Sequence, residues 1–537
     1  MPWPRELDVG ALRARLAEFE TTIATFEGER AAWREQQEAL QAEVKLLRVE
    51  RDLYKERAQA IARQLFAAKS EQRGLHQRDL FFNEAEALAP PTTSVAKVRV
   101  PAHERAKRGR KPLDPALPRE VIRYELPETE RICPHDGSAL KEIGVEASEQ
   151  LDIVPAQVRV IRHERVKYAC PCCSQGVRTA PAPLKLIPKA LLTEAALAWV
   201  ITAKYQDALP LYRQAALLNR FGGDIARNTL AHVVVQVGRA VQPIINLLRD
   251  YLLDADIVHG DETEVQVLKE NGRPAQAKSY LWAQVSGTGP PVHLYTYAPS
   301  RSAKTAAELY AGARGALMSD GYEPYAKVAD ANRLVHLGCW AHARRYLIEA
   351  EAALPKEARS AEQPATRMLA LISELYEVEA RWRQREGAPD ETPEQAFALR
   401  GQLRQEHSAP LIDRLQGLLL AHLHGVLPQS LLGKALHYLH EQWPKLVRFL
   451  DDGRYPIDNN LCENAIRPFV VGRKNWLFSD TVAGARASAN LYSLIETAKA
   501  NGVEPYRYLC QLFQALPAAK GVDEYEALLP WQLASAA

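Results

Sequence analysis

The sequence has few cysteines, few methionines and no long apolar run. Seven cysteines among 537 residues are too sparse, and odd in number, for a framework of disulfides, which predicts a reducing compartment. No apolar stretch is long enough to span a membrane, and the first residues lack the basic and apolar regions of a signal peptide. We therefore expect a cytoplasmic protein without a membrane partner.

The chain also lacks a strong net charge, because 68 lysines and arginines face 66 acidic residues and leave +2. DNA-binding proteins often carry their basic residues locally, so this balance neither supports nor excludes nucleic acid. A chain of 537 residues is too long for one hydrophobic core. Several domains are expected, and the local patterns have to define them.

Apolar residues recur from Leu12 to Leu65 at alternating steps of four and three, the spacing of a heptad repeat. Such a stripe predicts one long helix that buries its seam against a second helix. We expect an N-terminal coiled coil within residues 1–88 that makes the protein a homo-oligomer. Polar seam residues at Arg30, Gln37 and Arg51 would weaken this pairing but fix its register. The alternative is a helix folded back on its own chain.

Residues 89–120 are rich in proline and basic side chains and have no helical or strand period. This composition predicts a linker. Its stretch RGRKP resembles an AT-hook, in which Arg108, Arg110 and Lys111 would enter a narrow A·T minor groove. A solvated basic run that contacts phosphates without sequence preference is an equal alternative.

Cysteines are clustered in the next segment, residues 121–182, with Cys133 near one end and Cys170, Cys172 and Cys173 near the other. In a reducing compartment this clustering favours a metal site over disulfides. The segment is therefore predicted to be a small metal-binding module.

Residues 183–252 have a helical pattern. Two amphipathic pieces, LPLYRQAALLNRF and IARNTLAHVVVQVGRAV, are separated by Gly222, Gly223 and Asp224. A short glycine turn between two helices fits a helix-turn-helix, whose second helix enters a DNA groove. An ordinary helical hairpin gives the same pattern, so both interpretations stay open.

From residue 253 onward the pattern changes to short strands. Three β-rich runs, a helix, a fourth strand, and a fifth strand leading into a helix follow one another up to residue 350. The order β-β-β-α-β-α-β-α is that of a ribonuclease-H-like fold. Residues 351–452 read as helices only, which predicts a large insertion before a second part of the core at 453–500 and a tail at 501–537. The chain is thus expected to be a multidomain α/β protein.

Three carboxylates stand at candidate positions in this core. Asp261 (IVHGDET) and Asp320 (LMSDGY) each follow a run of apolar or small residues, so each is predicted at the end of a strand. Glu463 falls in the first turns of a helix predicted to start near Leu461 and to be capped by Asp458–Asn460. Capping and helix-dipole stabilisation would explain each residue alone. Together they could hold two hard divalent ions, Mg²⁺ or Mn²⁺, as phosphodiester chemistry requires.

Longer motifs make this interpretation specific. IVHGDETEVQVL, LMSDGYEPYAKV, HLGCWAHARRYL and PIDNNLCENAIRPFVVGRKNWLFSD resemble the transposases of the IS sixty-six insertion-sequence family over nearly the whole chain. The resemblance implies a DDE triad of Asp261, Asp320 and Glu463 as catalytic metal ligands. It also implies zinc ligands in the cysteine module, and basic residues after the glutamate that could clamp DNA phosphates. These basic residues are Arg467, Arg473 and Lys474. In CWAHARR, His342 is either a contact of DNA or the metal site, or a buried structural histidine.

The zinc module departs from the family pattern. Cys170 and Cys173 match the second CxxC pair, but Cys133 is followed by Asp136 where the other thiol is expected. Asp136, or alternatively His135, could supply the fourth ligand, since zinc accepts oxygen and nitrogen. Cys172 is an additional thiol that could substitute. Loss of the metal, with hydrophobic packing in its place, is the remaining alternative.

The resemblance thus predicts a bacterial, nucleoid-associated DNA transposase that binds the terminal inverted repeats of its element. It would cleave at the ends and join the 3′-OH to target DNA by two-metal-ion transesterification, and accessory proteins of the same element could be required. Two alternatives stay open: an inactive or domesticated DNA-binding protein, and a metal-dependent nuclease that does not join strands. A tyrosine recombinase is disfavoured, because Tyr492 stands in an apolar helical pattern.

Overall fold

The computed structural model describes residues 9–66, 121, 157–168, 178–354, 359–385 and 392–535. Within them, no helix is long and apolar enough to cross a membrane. The chain divides into two compact units. The larger contains residues 1–90, 182–214 and 226–537, and the smaller contains residues 91–181 and 215–225.

Helix α1, Val9–Phe66, is continuous and covers the whole heptad pattern. Apolar side chains of the predicted seam lie in solvent, among them Phe19, Phe26 and Trp33, the last 72% exposed. An unpaired apolar stripe of this length is what a partner helix would cover. Pairing with a second copy stays a prediction.

In the smaller unit, strands β1 (Lys167–Tyr168) and β2 (Arg178–Thr179) form an antiparallel pair. The Arg165 side chain donates a hydrogen bond to the carbonyl of Ala180 at 2.6 Å. Along the sequence, Cys170 and Cys173 fall between these two strands. The proposed zinc ligands themselves fall outside the described residues.

Four helices occupy the segment predicted to be helical. Their bounds are α2 Glu194–Tyr205, α3 Leu211–Arg220, α4 Arg227–Ala240 and α5 Gln242–Leu253. Thr193 caps α2, because its side chain accepts the N–H of Ala196. Between α3 and α4, Gly222 has φ +85°, a conformation that favours glycine. The predicted helix–glycine turn–helix order is therefore present.

A mixed sheet forms the centre of the larger unit. Its strands are β3 Ile257–Lys269, β4 Lys278–Ser286, β5 His293–Ala298, β6 Ala316–Ser319, β7 Val335–Gly338 and β8 Ser479–Thr481. The strand order is β5-β4-β3-β6-β7. Strands β3, β4 and β5 are antiparallel neighbours, whereas β6 is parallel to both β3 and β7. The short β8 pairs in parallel with the far end of β3.

Three helices alternate with these strands, namely α6 Ala303–Leu309, α7 Glu323–Asn332 and α8 Trp340–Ala353. The order from β3 to α8 is the predicted β-β-β-α-β-α-β-α. The β6 strand, with all four residues buried, reads as a continuous apolar run because helices or loops cover both of its faces.

The predicted insertion contains only helices among its described residues. These are α9 Pro364–Arg385, α10 Pro393–Leu403, a π-helical turn Arg404–Ser408, α11 Ala409–Leu423, α12 Leu431–Leu446 and a 3₁₀ turn Val447–Leu450. Their apolar residues share one core with Trp340 and Leu347 of α8. A buried Glu379 accepts hydrogen bonds from Arg400 and Arg404, which compensates the charge of each partner. Through this shared core, the insertion holds α8 in place.

The remaining helices are α13 Asn460–Trp476, α14 Val482–Ala500, α15 Pro505–Ala515, a 3₁₀ turn Leu516–Ala518, α16 Val522–Glu526 and α17 Pro530–Ser535. Helix α13 lies against β3 and β4, and α14 packs on β5 and α4. Strand β8 was not predicted, because three residues are too short for a strand period to be read. It extends the sheet beyond α13.

The contact between α4 and α14 depends on Gly238. A Cβ atom there would lie 2.5 Å from the Cβ of Ala487, closer than two carbon atoms approach. We expect Gly238→Ala to lower the free energy of unfolding by about 1–3 kcal/mol because of overpacking. Chemical denaturation measures this. Gly417→Ala in α11 is the control, because its Cβ would meet no atom within 4 Å; there a higher helix propensity should stabilise the protein. Equal effects of both changes would contradict the packing argument.

A second prediction concerns the buried His336 of β7, whose Nε2 lies 2.9 Å from the hydroxyl of Ser319. Burial, with smaller contributions from Lys445 and Arg448, lowers the pKa of His336 to about 3. Below pH 6.5 the unfolded chain therefore binds a proton that the folded protein does not, and stability falls as the pH decreases. We expect a loss of about 2 kcal/mol at pH 5 from this group.

His336→Gln retains a polar group at this position and does not titrate. Urea unfolding of the metal-free protein at pH 7 and pH 5 should therefore give a smaller difference for the variant than for the wild type. The same pH dependence in both proteins would mean that other groups cause the acid sensitivity.

Candidate active site

Asp261 lies inside strand β3, not at its end as the sequence predicted. The strand continues to Lys269, because β4 pairs with it through Gln266. The parallel neighbour β6 pairs only up to His259, so on this side β3 is unpaired from Asp261 until β8 pairs with it at Val267. Asp261 therefore lies where the parallel pairing of β3 with β6 ends, although its own strand continues. The prediction failed because the antiparallel pairing extends past the residue.

Asp320 follows directly after β6, as predicted. In the parallel register His259 faces Met318, so Asp261 and Asp320 each lie two residues further along neighbouring strands. Neighbouring strands are about 4.8 Å apart and residues of equal parity share a face. The two carboxylates therefore lie on the same face of the sheet, where the parallel pairing of β3 and β6 ends. Asp320 also accepts the N–H of Tyr322 at 2.9 Å, so it caps the following turn as well.

Glu463 lies in the first turn of α13, and Asn459 fixes the start of that helix. The Asn459 side chain is fully buried. It donates to the carbonyl of Gly260 at 2.9 Å and lies 3.0 Å from Nδ1 of His259. Its backbone N–H points to the sulfur of Cys339 at 3.2 Å. Helix α13 is therefore attached to β3 immediately beside Asp261.

The predicted capping by Asp458–Asn460 is only partly correct. Asp458 accepts the backbone N–H of Asn460 at 3.1 Å, but the Asn459 side chain makes no capping bond. The reason is that the Asn459 amide donates to the carbonyl of Gly260 in β3 instead. A residue type that usually caps a helix serves here to join two distant parts of the chain.

The neighbouring carboxylates destabilise the charged form of Asp261. Burial, followed by the charges of Asp320, Glu262 and Glu463, raises the pKa of Asp261 well above its usual range, although the N–H of Glu262 donates to it at 2.8 Å. Burial is also the main cause that raises the pKa of Asp320 and of Glu463. A clustered set of anions in a partly buried site favours binding of cations.

Glu262 is a fourth acidic residue that sequence reasoning missed. Its carboxylate accepts a hydrogen bond from the hydroxyl of Tyr325 at 2.7 Å and lies 3.7 Å from Arg301. Burial is the first cause that raises its pKa to about 7. The residue follows Asp261 directly, but an exposed strand position gives the same sequence signal.

The structure brings helix α8 to the same site. Nδ1 of His342 lies 3.4 Å from one oxygen of Glu463, and a guanidinium nitrogen of Arg345 lies 3.2 Å from the other. Burial, then the charge of Arg345, lowers the pKa of His342 to about 3. His342 therefore lies beside Glu463 and is also largely buried, so both interpretations of CWAHARR stay open.

Comparison with known proteins identifies the family. Residues 189–487, more than half of the chain, match the family model described as Transposase IS66 family. The chain belongs to the IS66 transposase family. The zinc-finger binding domain of transposase IS66 matches residues 130–174, and the IS66 C-terminal element matches residues 493–531. A model described as transposase C of IS166 homeodomain matches residues 53–122.

Relatives of this transposase come from Sinorhizobium fredii. The uncharacterized protein y4qI is 34% identical over 442 residues, 79% of either chain. The uncharacterized protein y4jD is 33% identical over 77% of this chain and 81% of its own, and y4hP is 29% identical over 91% and 88%. The similarity therefore extends over most of each protein.

The DDE transposase family implies a divalent metal, and the IS66-family transposase has residues that fit one. Asp261, Asp320 and Glu463 offer the hard oxygen donors that such ions take in proteins. One oxygen of Glu463, Oε1, is buried and has no hydrogen-bond partner among the described residues, so a ligand atom is available there. Oε1 can approach a cation without breaking an existing bond.

The predicted DNA-contacting residues of the transposase fall into two groups. Arg467, Arg473 and Lys474 lie on α13, with Lys474 exposed and Arg473 donating to the carbonyl of Glu264. Arg467 follows Glu463 by one helical turn. The linker residues Arg108, Arg110 and Lys111 lie outside the described residues, as do the predicted zinc ligands Cys133, His135, Asp136, Cys170 and Cys173.

Tyr492 of α14 is fully buried. Its ring packs against Tyr205, Tyr295 and Phe469. A side chain in this position cannot reach a DNA phosphate without unfolding the helix, which argues against a tyrosine nucleophile in this transposase.

Proposed function

We propose that this transposase cleaves DNA at the ends of its insertion sequence and joins the liberated 3′-OH to target DNA. Asp261, Asp320 and Glu463 are the proposed ligands of two Mg²⁺ or Mn²⁺ ions. The observation that carries the proposal is the convergence of these three carboxylates, from β3, β6 and α13, at one open edge of the sheet. The family match supports a transposase role for this part of the chain.

The proposed fold of the catalytic core is ribonuclease-H-like. Three antiparallel strands followed by two parallel ones, in the order β5-β4-β3-β6-β7, support this assignment. The helical insertion between Asp320 and Glu463 contributes no strand among its described residues. The insertion packs against α8 and so holds the helix that carries His342 and Arg345 beside Glu463.

The chain's own residues have two tasks in this reaction, to hold the ions and to balance charge. When bound, the divalent ions supply Lewis-acid stabilisation of the attacking and leaving oxygens of the phosphodiester. Asp261 within a strand, Asp320 directly after a strand and Glu463 in a helix would hold that charge at a fixed place. Arg345 neutralises part of the negative charge of Glu463. The elevated pKa values of Asp261 and Asp320 mean that cation binding must displace protons or relieve repulsion.

Other parts of the chain are proposed to hold the DNA and the partners. Exposed Lys474 and the neighbouring Arg473 and Arg467 are suited to contact phosphates of the element ends. The basic linker with Arg108, Arg110 and Lys111 adds minor-groove or phosphate contacts. Zn²⁺ bound by Cys133, Asp136 or His135, Cys170 and Cys173 would fold the small module. The α1 helix would pair two copies, and accessory proteins of the element could complete the assembly.

The test is a strand-transfer assay with the full-length protein, DNA that carries the inverted repeats flanking the gene, and a separate target duplex. We expect cleavage and joining that require Mg²⁺ or Mn²⁺ and that are lost in Glu463→Gln. Glu441→Gln, an exposed glutamate of α12, is the matched control and should retain activity. Metal-dependent nicks without joined products would replace the proposal by a nuclease, and DNA binding without cleavage would indicate an inactive copy.

A further inference from the structure

One turn of helix α8 faces the Glu463 carboxylate with two side chains. His342 and Arg345 are three residues apart, so they project from the same side of the helix. Nδ1 of His342 is next to Oε1, at 3.4 Å, and the guanidinium of Arg345 is next to Oε2, at 3.2 Å. Each carboxylate oxygen therefore has a neighbour of its own, which can fix the plane of the group.

Helix α8 is a firm support for such contacts. Trp340 at its start is fully buried, and its indole N–H donates to the carbonyl of Leu446 at 2.8 Å. Its backbone N–H bonds the carbonyl of Ile457, three residues before α13 begins. Ala343 and Leu347 lie in the core of the insertion. The side chains that contact Glu463 therefore belong to a helix that hydrogen bonds at its start and packing in the insertion core hold in place.

The two oxygens of Glu463 are not equivalent. Oε2 accepts a hydrogen bond from Arg345. Oε1 and the Nδ1 atom of His342 are both buried and lack a hydrogen-bond partner within the part of the chain that the structure describes, although they face each other. A small adjustment lets an imidazole with its proton on Nδ1 donate to Oε1, and that oxygen still has a second lone pair. Buried polar atoms are rarely left unpaired, so this pair is suited to a function.

We propose that His342 and Arg345 are positioning residues that hold Glu463 so that Oε1 alone is directed at the metal ions. Oε2 stays on Arg345, and the glutamate binds in a monodentate manner. This inference rests on the proposed function, because it concerns the orientation of a metal-binding carboxylate. Neighbouring groups that orient metal ligands commonly change metal affinity or activity by about 10- to 100-fold when they are removed.

A different occupant has to be weighed, since Cys339, His342 and Glu463 offer ligand atoms within 4.8 Å of one another. Sulfur, nitrogen and oxygen donors together suit zinc. However, the sulfur of Cys339 already accepts the N–H of Asn459. Arg345 also places a positive charge on the same carboxylate. These contacts favour the positioning role over a separate zinc site.

The experiment titrates Mn²⁺ into the metal-free full-length protein and follows free Mn²⁺ by electron paramagnetic resonance. Cleavage as a function of Mg²⁺ concentration is measured in parallel. We expect His342→Ala and Arg345→Ala to weaken Mn²⁺ binding by about 10- to 100-fold and to raise the Mg²⁺ requirement. His342→Asn should recover part of the affinity, since its amide nitrogen lies near the position of Nδ1. Arg345→Lys should recover less, because it lacks the planar fork.

Two surface variants serve as matched controls, His440→Ala on α12 and Arg414→Ala on α11, both at exposed positions. They should bind Mn²⁺ like the wild type. Thermal unfolding in EDTA checks that each variant folds. If an alanine variant does not fold, the His342→Asn and Arg345→Lys proteins carry the test.

Wild-type Mn²⁺ affinity in the alanine variants would overturn the inference. So would one equivalent of tightly bound zinc that is lost in both His342→Ala and Cys339→Ser. Glu463→Gln separates this failure from that of the proposed function. If Glu463→Gln weakens Mn²⁺ binding and the alanine variants do not, only the positioning role is wrong. If Glu463→Gln also binds Mn²⁺ and cleaves like the wild type, the proposed triad is wrong.

Discussion

Asp261→Asn is expected to abolish DNA cleavage while making the metal-free protein more stable. The carboxylate lies between Asp320, Glu262 and Glu463, whose negative charges, after burial, raise its pKa well above the usual range. Burial and these neighbouring charges therefore disfavour the ionised form of Asp261 in the folded protein. The amide removes that repulsion but cannot replace a charged metal ligand, so cleavage should fall on the order of 10³-fold or more.

The sign of the stability change follows from linkage. A carboxyl whose pKa is raised on folding lowers the stability at every pH above its unfolded pKa, and the lost stability is recovered as the pH falls from the folded pKa toward the unfolded pKa. In EDTA at neutral pH, the Asn variant should therefore melt above the wild type. With excess Mg²⁺ the order should reverse, because only the wild type gains stability from strong metal binding.

Differential scanning calorimetry in both buffers, with the cleavage assay, checks this prediction. Asp413→Asn on α11, an exposed aspartate, is the control and should leave both the melting temperature and the cleavage unchanged. An Asp261→Asn protein that melts below the wild type in EDTA would mean that the carboxylate stabilises the fold instead of serving the site.

The second large effect is expected at Asn459, which joins the start of α13 to β3. Asn459→Ala leaves the carbonyl of Gly260 and Nδ1 of His259 without their partner in a buried place. Each such loss costs about 1–3 kcal/mol, so we expect the free energy of unfolding to fall by about 2–4 kcal/mol. Glu463, one turn further on, would lose its fixed position. Displacements of about 1 Å can lower catalysis about 100-fold.

Urea unfolding and strand cleavage at saturating Mg²⁺ measure the two effects. Asn464→Ala is the matched control on the same helix, because its side chain is exposed and its loss should change neither quantity much. If Asn459→Ala loses stability but cleaves at the wild-type rate, other contacts hold Glu463. If it loses neither, the connection between α13 and β3 contributes little.

The element types of the core were predictable because their signals are local. Alternation of apolar residues around Val265 and Val267 identified β3, and the buried run of β6 ended visibly at Asp320. The heptad of α1 and the helical insertion were also read from spacing within one element. Glu463 was recognised through the resemblance of the motif around it rather than through its position in a helix. The role of all three carboxylates stays a proposal.

By itself, the sequence determined the helices and strands of the core except the short β8, because periodicity depends on neighbours along the chain. Only the tertiary structure decided how these segments form a site. Asn459 bonds the carbonyl of Gly260, 199 residues earlier, and Arg345 bonds Glu463, 118 residues later. Contacts over such separations leave no periodic trace in one sequence. The wrong prediction that Asp261 ends its strand has the same cause. The strand continues because β4 pairs with β3 beyond Asp261, and this pairing is a property of the folded sheet.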